Sequence, residues 1–295
     1  MLAATFSRMI RNVFFYSYRL ATSFFRMTPN FIIIGAPKCG TTSLYNYLIQ
    51  HPQILSSSRK EPMFFSMFYN KNPLWYKINF PIKFGHSKKI TGEASTSYLI
   101  YPNVPKLVKE MLPDVKIIIM LRNPIDRSFS QYTHHYRSGV ETLSFEEAIN
   151  EEEKRLQGTL EEIENSKPLK GFSYLKSLFF FNPSNILTFS NLFGGIYVDQ
   201  IKNWTDVFPS DQIKIVFSEE FFKDSDKIYQ DVLKFLELPS YKLMNYKAFN
   251  ADYKKNPSVS NPKMNIDTRK KLVEYFKPHN KRLSDFLNKP INWDS

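Results

Sequence analysis

The segment from Phe31 to Leu44, Phe-Ile-Ile-Ile-Gly-Ala-Pro-Lys-Cys-Gly-Thr-Thr-Ser-Leu, constrains the fold more than any other. Its unbroken apolar start suits a strand covered on both faces, as in a parallel sheet between helices. The strand runs directly into a loop with glycines at 35 and 40, where the missing Cβ lets backbone N–H groups approach a ligand closely. Thr41 to Gln50 then reads as a helix whose amino terminus, with unpaired N–H groups and the positive end of its dipole, points back at the loop. Strand, glycine-spaced loop and helix in this order make an anion-binding unit, and phosphate is the anion expected there.

The same plan recurs. Lys116 to Leu121 is a second buried-type strand, Pro124 stands where a first helical residue belongs, and Ile125 to Arg137 can be helical until Gly139. Lys89 to Glu93 and Ile213 to Phe217 read as further strands, the latter flanked by helices around 198–207 and 227–238. This alternation predicts an α/β fold, a central and mainly parallel sheet flanked by helices, of the P-loop-containing nucleotide-binding type. A chain of 295 residues, 42% hydrophobic, can bury one large core, so residues 29–295 are assigned to a single domain. Pro52, Pro62, Pro73 and Pro81 break an aromatic stretch into loops and short turns. Ser144 and Glu147 form a capping box for a helix through Gln157, whose many glutamates predict a solvated face. Residues 250–265 read as a loop, and Asp267 caps a closing helix that runs to Phe276.

The loop departs from the nucleoside triphosphatase pattern GxxxxGK[ST]. Gly35 and Gly40 have the right spacing, but Thr41 stands where the lysine should be and Lys38 lies inside the loop. A magnesium-dependent phosphoryl transferase carries an aspartate at the end of a neighbouring strand, whereas the strand ending at Leu121 delivers Arg122, which binds phosphate and repels a metal. Ser130, two turns into the next helix, can share that second phosphate. The pattern implies a ligand with two separated anionic groups and no metal, a bisphosphorylated nucleotide rather than ATP. Cys39 is the one cysteine, which excludes an internal disulfide framework and fits a reducing, cytoplasmic compartment. As a phosphatase-type nucleophile it would want an arginine closing its loop; Tyr45 stands there instead, and Cys39 reads as a spacer.

These residues resemble the sulfotransferases that use 3′-phosphoadenosine 5′-phosphosulfate, particularly the carbohydrate (heparan-sulfate-type) and bacterial members. Pro37, Lys38, Cys39, Gly40, Thr41, Thr42 and Ser43 look like that family's 5′-phosphosulfate loop. Leu121 to Tyr132 looks like its 3′-phosphate element, with Arg122 and Ser130 in the binding positions. Lys60 to Phe65, Gly92 to Tyr98 and Gly195 to Trp204 extend the likeness from Phe31 to about Leu287. The resemblance implies the phosphosulfate as co-substrate, a hydroxyl or amine acceptor that is carbohydrate-like, Glu61 as general base and Lys38 as the cation at the leaving oxygen. Read by itself, Glu61 is equally an exposed carboxylate paired with Lys60 or Arg59. Two departures stand out. Ala94 replaces a second lysine, and a nucleotide loop between paired cysteines is missing, for which Phe249, Tyr253, Lys254 and Lys255 are candidates. His134 and His135 follow the 3′-phosphate helix and either face acceptor or serve as solvated, capping residues.

Residues 1–28 form a separate basic amphipathic helix. At about 100° per residue, Arg8, Arg11, Arg19 and Arg26 gather on an arc opposite Leu2, Phe6, Ile10, Val13, Leu20 and Phe24. The arginines interrupt it too often for a spanning helix. It either lies on an anionic membrane surface or packs on its own domain. The formal net charge of +12 predicts attraction to polyanions without specific nucleic-acid recognition. Two rival readings follow: a P-loop kinase or nucleotide hydrolase, and a non-catalytic protein that binds polyanions or membranes.

Overall fold

The computed structural model describes residues 15–69, 72–159, 185–247, 249 and 262–293. Five strands form one wholly parallel sheet: β1 (Phe31–Gly35), β2 (Ile54–Ser56), β3 (Ile90–Glu93), β4 (Lys116–Leu121) and β5 (Ile213–Phe217), in the order β2-β3-β1-β4-β5. The runs that read as strands covered on both faces are the innermost. Every residue of β1 is buried, and so is β4 beyond Lys116. With β1 in the middle, the chain moves first to one side and then to the other. The loops at the carboxyl ends of the strands therefore open into the crevice where α/β sheets bind ligands.

The principal helices are α1 (Thr41–Leu48), α2 (Val104–Met111), α3 (Pro124–Arg137), α4 (Tyr197–Thr205), α5 (Ser218–Lys223), α6 (Ser225–Phe235) and α7 (Ile266–Leu287). Between β2 and β3 the proline-broken stretch is more than a wall of loops. It holds a wide helical turn at Phe64–Phe68 and a short helix at Pro73–Lys77, started by Asn72, whose side chain accepts the Leu74 N–H. Phe64, Phe65, Tyr76 and Phe80 are fully buried there, with the Phe64 and Tyr76 rings stacked at 4.8 Å. Burying one such ring stabilises the fold by about 1.5–3 kcal/mol, so these short elements are held by core packing.

Two further expectations need correction. The Ser144–Glu147 capping box forms, but its helix breaks at Glu151 into Phe145–Asn150 and Glu152–Leu156. Glu152 is buried, not solvated, accepting the backbone N–H groups of Leu192 and Phe193 at 2.8 Å. The closing helix runs past Phe276 to Leu287 with Pro278 inside it. Leu272, Phe276, Asn280 and Leu283 make a buried stripe across that proline. The carbonyl that Pro278 cannot bond belongs to Glu274, an exposed residue, and packing of the buried stripe carries the helix on.

Candidate active site

The loop after β1 is pinned from below and open above. Ala36 N–H donates to Met120 O at 2.7 Å, and Ser218 Oγ donates to Cys39 O at 2.7 Å. Lys38 adopts a left-handed backbone (φ 68°) and so does Gly40 (φ 89°), the residue before α1. A Cβ on Gly40 would sit 3.0 Å from the tip of the half-exposed Phe222 ring, which can give way, so it is the left-handed backbone that favours glycine there. Among the described residues no side chain caps α1, which leaves its first N–H groups for an anion. Cys39 is buried, and burial pushes its thiol up to about 12, which removes it as a nucleophile and leaves the spacer. Thr41 and Ser43 are buried, and Ser43 Oγ accepts the Phe249 N–H at 3.0 Å. Pro37, Lys38 and Thr42 are half-buried. Tyr253, Lys254 and Lys255 lie outside the described residues.

Positive charge concentrates on this loop. Burial holds the Lys38 ammonium below the usual lysine range, and Arg122, Arg137 and Lys60 push it the same way while Glu61 opposes them. Arg122 stands at the end of β4; its Nη1 donates to Lys38 O at 3.3 Å, and its own carbonyl accepts the Tyr197 hydroxyl at 2.8 Å. Asp126 is ion-paired to Arg269 at 2.9 Å, which accounts for the carboxylate nearest Arg122 in sequence. Ser130 is half-buried on α3, the helix that carries Arg137 in its last turn. Arg137 is a cation of this site that the sequence reading passed over. Its signal lay in the helix spacing, since 130, 134 and 137 fall on one face.

Glu61 pairs with Lys60 at 2.6 Å, both side chains about a quarter to a third exposed, so the paired arrangement is the one formed. The pair stays within electrostatic reach of Lys38. Lys60 O accepts the Ala94 N–H at 3.0 Å, docking this loop on the end of β3. Beneath it lies Glu93, fully buried, which accepts hydroxyl hydrogen bonds from Tyr76 at 2.7 Å, Tyr98 at 3.0 Å and Ser95. Ser95 Oγ in turn accepts the N–H of Met63 at 3.0 Å, a residue held at φ 51°. Burial pushes the Glu93 carboxyl up to about 7 against the pull of those hydroxyls. Sequence reasoning missed Glu93. The available signal was a glutamate closing a buried strand and followed by hydroxyl residues.

His134 and His135 are both half-buried. Burial, then the charge of Lys38, lowers His134 to about 4 and His135 in the same direction. His135 Nδ1 sits 2.7 Å from Thr188 O. They are therefore neutral side chains on the Lys38 side of α3 rather than solvated helix-end cations.

A charged loop at a helix amino terminus, an arginine at the end of the adjacent strand and a carboxylate within electrostatic reach of the loop lysine make a site suited to an anionic ligand. The chain belongs to the sulfotransferase family, whose profile, described as a sulfotransferase domain, matches residues 28–290; it is an enzyme of the class that uses 3′-phosphoadenosine 5′-phosphosulfate. Among its relatives, the membrane-associated sulfotransferase kil1 of Dictyostelium discoideum is 28% identical over 90% of this chain and 67% of that protein. The human bifunctional heparan sulfate N-deacetylase/N-sulfotransferase 3 is 27% identical over 88% of this chain. The chain spans only 30% of the length of that relative. Among solved structures, a sulfotransferase from Alicyclobacillus acidocaldarius superposes with a TM-score of 0.70 at 29% identity, covering 91% of this chain and all of that one. Among the described residues, no helix is long and apolar enough to cross a membrane.

Proposed function

We propose that the enzyme transfers the sulfuryl group to a hydroxyl or amine of a saccharide-like acceptor, with Glu61 as base. The observation that carries this reading is Lys38, half-buried at an uncapped helix terminus between Arg122 and Glu61. The residues fit the donor: the open N–H groups of α1 suit its 5′ end, and Arg122 with Ser130 suits the 3′-phosphate. Cys39 and Gly40 serve through backbone, and Pro37, Thr41, Thr42 and Ser43 shape the rest of the cradle.

Glu61 takes the proton of the acceptor O–H or N–H as that atom bonds to sulfur and the bond from sulfur to the phosphate oxygen breaks. Lys38 and the loop amides stabilise the charge that grows on the leaving oxygen. Glu61 must exchange its ion pair with Lys60 for the acceptor, and Lys60 is then freed to face the same charge. We place the enzyme in the cytoplasm, peripherally at an anionic membrane through its amino-terminal segment. The saccharide acceptor is supported by the heparan-sulfate relatives and by the aromatic and cationic surroundings of Glu61. The test is release of 3′-phosphoadenosine 5′-phosphate with desulfated glycan oligosaccharides against simple alcohols and amines. Release that depends on the oligosaccharide and vanishes in Lys38→Ala is expected. Release with none of them overturns the acceptor class.

A further inference from the structure

The amino-terminal segment meets its own domain through its arginines. Residues 15–21 are helical and a tight turn follows at Ser23–Phe25. Arg19 donates to the carbonyls of Ile78 and Phe80, and Arg26, 5% exposed, donates to Phe80 O at 2.7 Å and to Arg19 O at 3.2 Å. These two arginines are clamps on the domain and cannot be the cations that face a lipid headgroup. The opposite face is apolar and uncovered: Leu20, Phe24 and Phe25 are each more than half exposed. Backbone bonds from Met27 N to Pro81 O and from Lys83 N to Phe25 O bring a second loop alongside. Phe84 at its tip is 92% exposed and Lys83 is exposed beside it.

Along the sequence, the net charge is concentrated in the part of the chain that carries this patch. Residues 1–92 contain twelve lysines and arginines and one acidic residue, Glu61, so eleven of the twelve net positive charges lie there. The rest of the chain is within one charge of neutral. Exposed aromatics next to one another mark an interaction surface, and exposed aromatics with exposed lysines beside them at 83 and 88 match the interface of an anionic bilayer. A second copy of this face would bring like charges together, which argues against self-association.

We infer that Phe24, Phe25 and Phe84 insert into an anionic phospholipid surface, with Lys83, Lys88 and Lys89 at the headgroups, while Arg19 and Arg26 hold the inserting segment on the domain. This rests on the peripheral membrane contact proposed above and changes the side chains that make it. The test is co-sedimentation of the full chain with phosphatidylcholine vesicles with and without phosphatidylserine, alongside calorimetric binding of 3′-phosphoadenosine 5′-phosphate as a control for folding. The wild type is expected to bind phosphatidylserine vesicles. Changing all three phenylalanines to serine should weaken this at least about tenfold, and each of the three lysines changed to glutamine about fivefold, with nucleotide binding intact. A phenylalanine variant that binds vesicles as the wild type does would overturn the aromatic insertion while leaving membrane contact standing. A wild type indifferent to both vesicles would overturn the two together. A wild-type dimer that the phenylalanine changes dissolve would assign the patch to a second copy instead.

Discussion

Glu61, His134 and His135 all lie within electrostatic reach of Lys38, and Glu61 and His134 are separable as proton acceptors. Glu61→Gln is expected to lower kcat about 10²–10⁴-fold without loss of bisphosphate affinity, because Arg122 and α1 carry the nucleotide. His134→Ala should change kcat far less, and single-turnover assays of both variants decide which residue is the base. Glu93 makes a prediction with a sign. Its carboxyl is raised from 4.5 to about 7 in the fold, so between those values the native state holds a proton that the unfolded chain has released. Its contribution to stability is complete below about pH 4.5 and is lost as pH rises through about 7, at most about 3 kcal/mol in all. His134, whose folded value lies below its unfolded one, contributes the opposite slope, which ends at its unfolded value near 6.5. The diagnostic quantity is therefore the difference between wild type and Glu93→Gln in denaturant titrations. The wild type should lose stability relative to the variant from pH 5 to 7.5, and parallel curves would refute a raised Glu93.

At the scale of elements, the anion loop works because α5 closes over it. Phe222 of α5 packs where a Gly40 side chain would be, and Ser218 holds the Cys39 carbonyl. Gly40→Ala should cost about 1–2 kcal/mol of stability for the left-handed backbone alone. It should also weaken bisphosphate binding more than a stability loss explains, since the left-handed turn sets the direction of the first N–H groups of α1; a melting curve and a binding isotherm on one preparation check both. On the far side of α3, Arg127 is fully buried and bonds Gln131 Oε1 at 2.7 Å and the carbonyls of Ser190 and Asn191. Arg127→Met removes those charge-assisted bonds and should destabilise by about 3 kcal/mol, read as a lower denaturation midpoint. Much of this architecture was legible in the chain. β1 and β4 are buried on both faces and read as unbroken apolar runs, while β2 is three residues at the sheet edge and leaves no such mark. The loop lysine and Arg122 were legible because glycine spacing and a strand end fix where they must lie. Glu93, Arg137 and the inward turn of Arg19 and Arg26 were not, because each depends on which neighbour the folded chain brings up. Periodicity tells which residues share a face but not which face docks.

Over the whole molecule, positive charge and donor selectivity have to be told apart. A basic amino-terminal third attracts any polyanion, with affinity that falls steeply as salt rises. The proposed donor site asks for more: on that reading one anion sits at the α1 terminus and a second at Arg122, separated by the adenosine. ATP offers a contiguous triphosphate, and the strand end that would hold its magnesium carries Arg122 instead. Calorimetry with 3′-phosphoadenosine 5′-phosphate in EDTA should therefore give binding at least about a hundredfold tighter than ATP with magnesium, the difference of roughly 3 kcal/mol that one fully engaged, charge-assisted phosphate contact provides. Lys38→Ala and Arg122→Ala should each remove most of that preference while leaving the salt-dependent retention of the protein on a cation-exchange surface almost unchanged, because each deletes one charge from a net of +12. Equal affinity for the two nucleotides in the wild type would mean that the cations around the loop act as an unstructured positive field. In that case Arg122 and Ser130 would have no claim to a 3′-phosphate, and the donor site would have to be sought elsewhere, beginning with Phe249 beside Ser43.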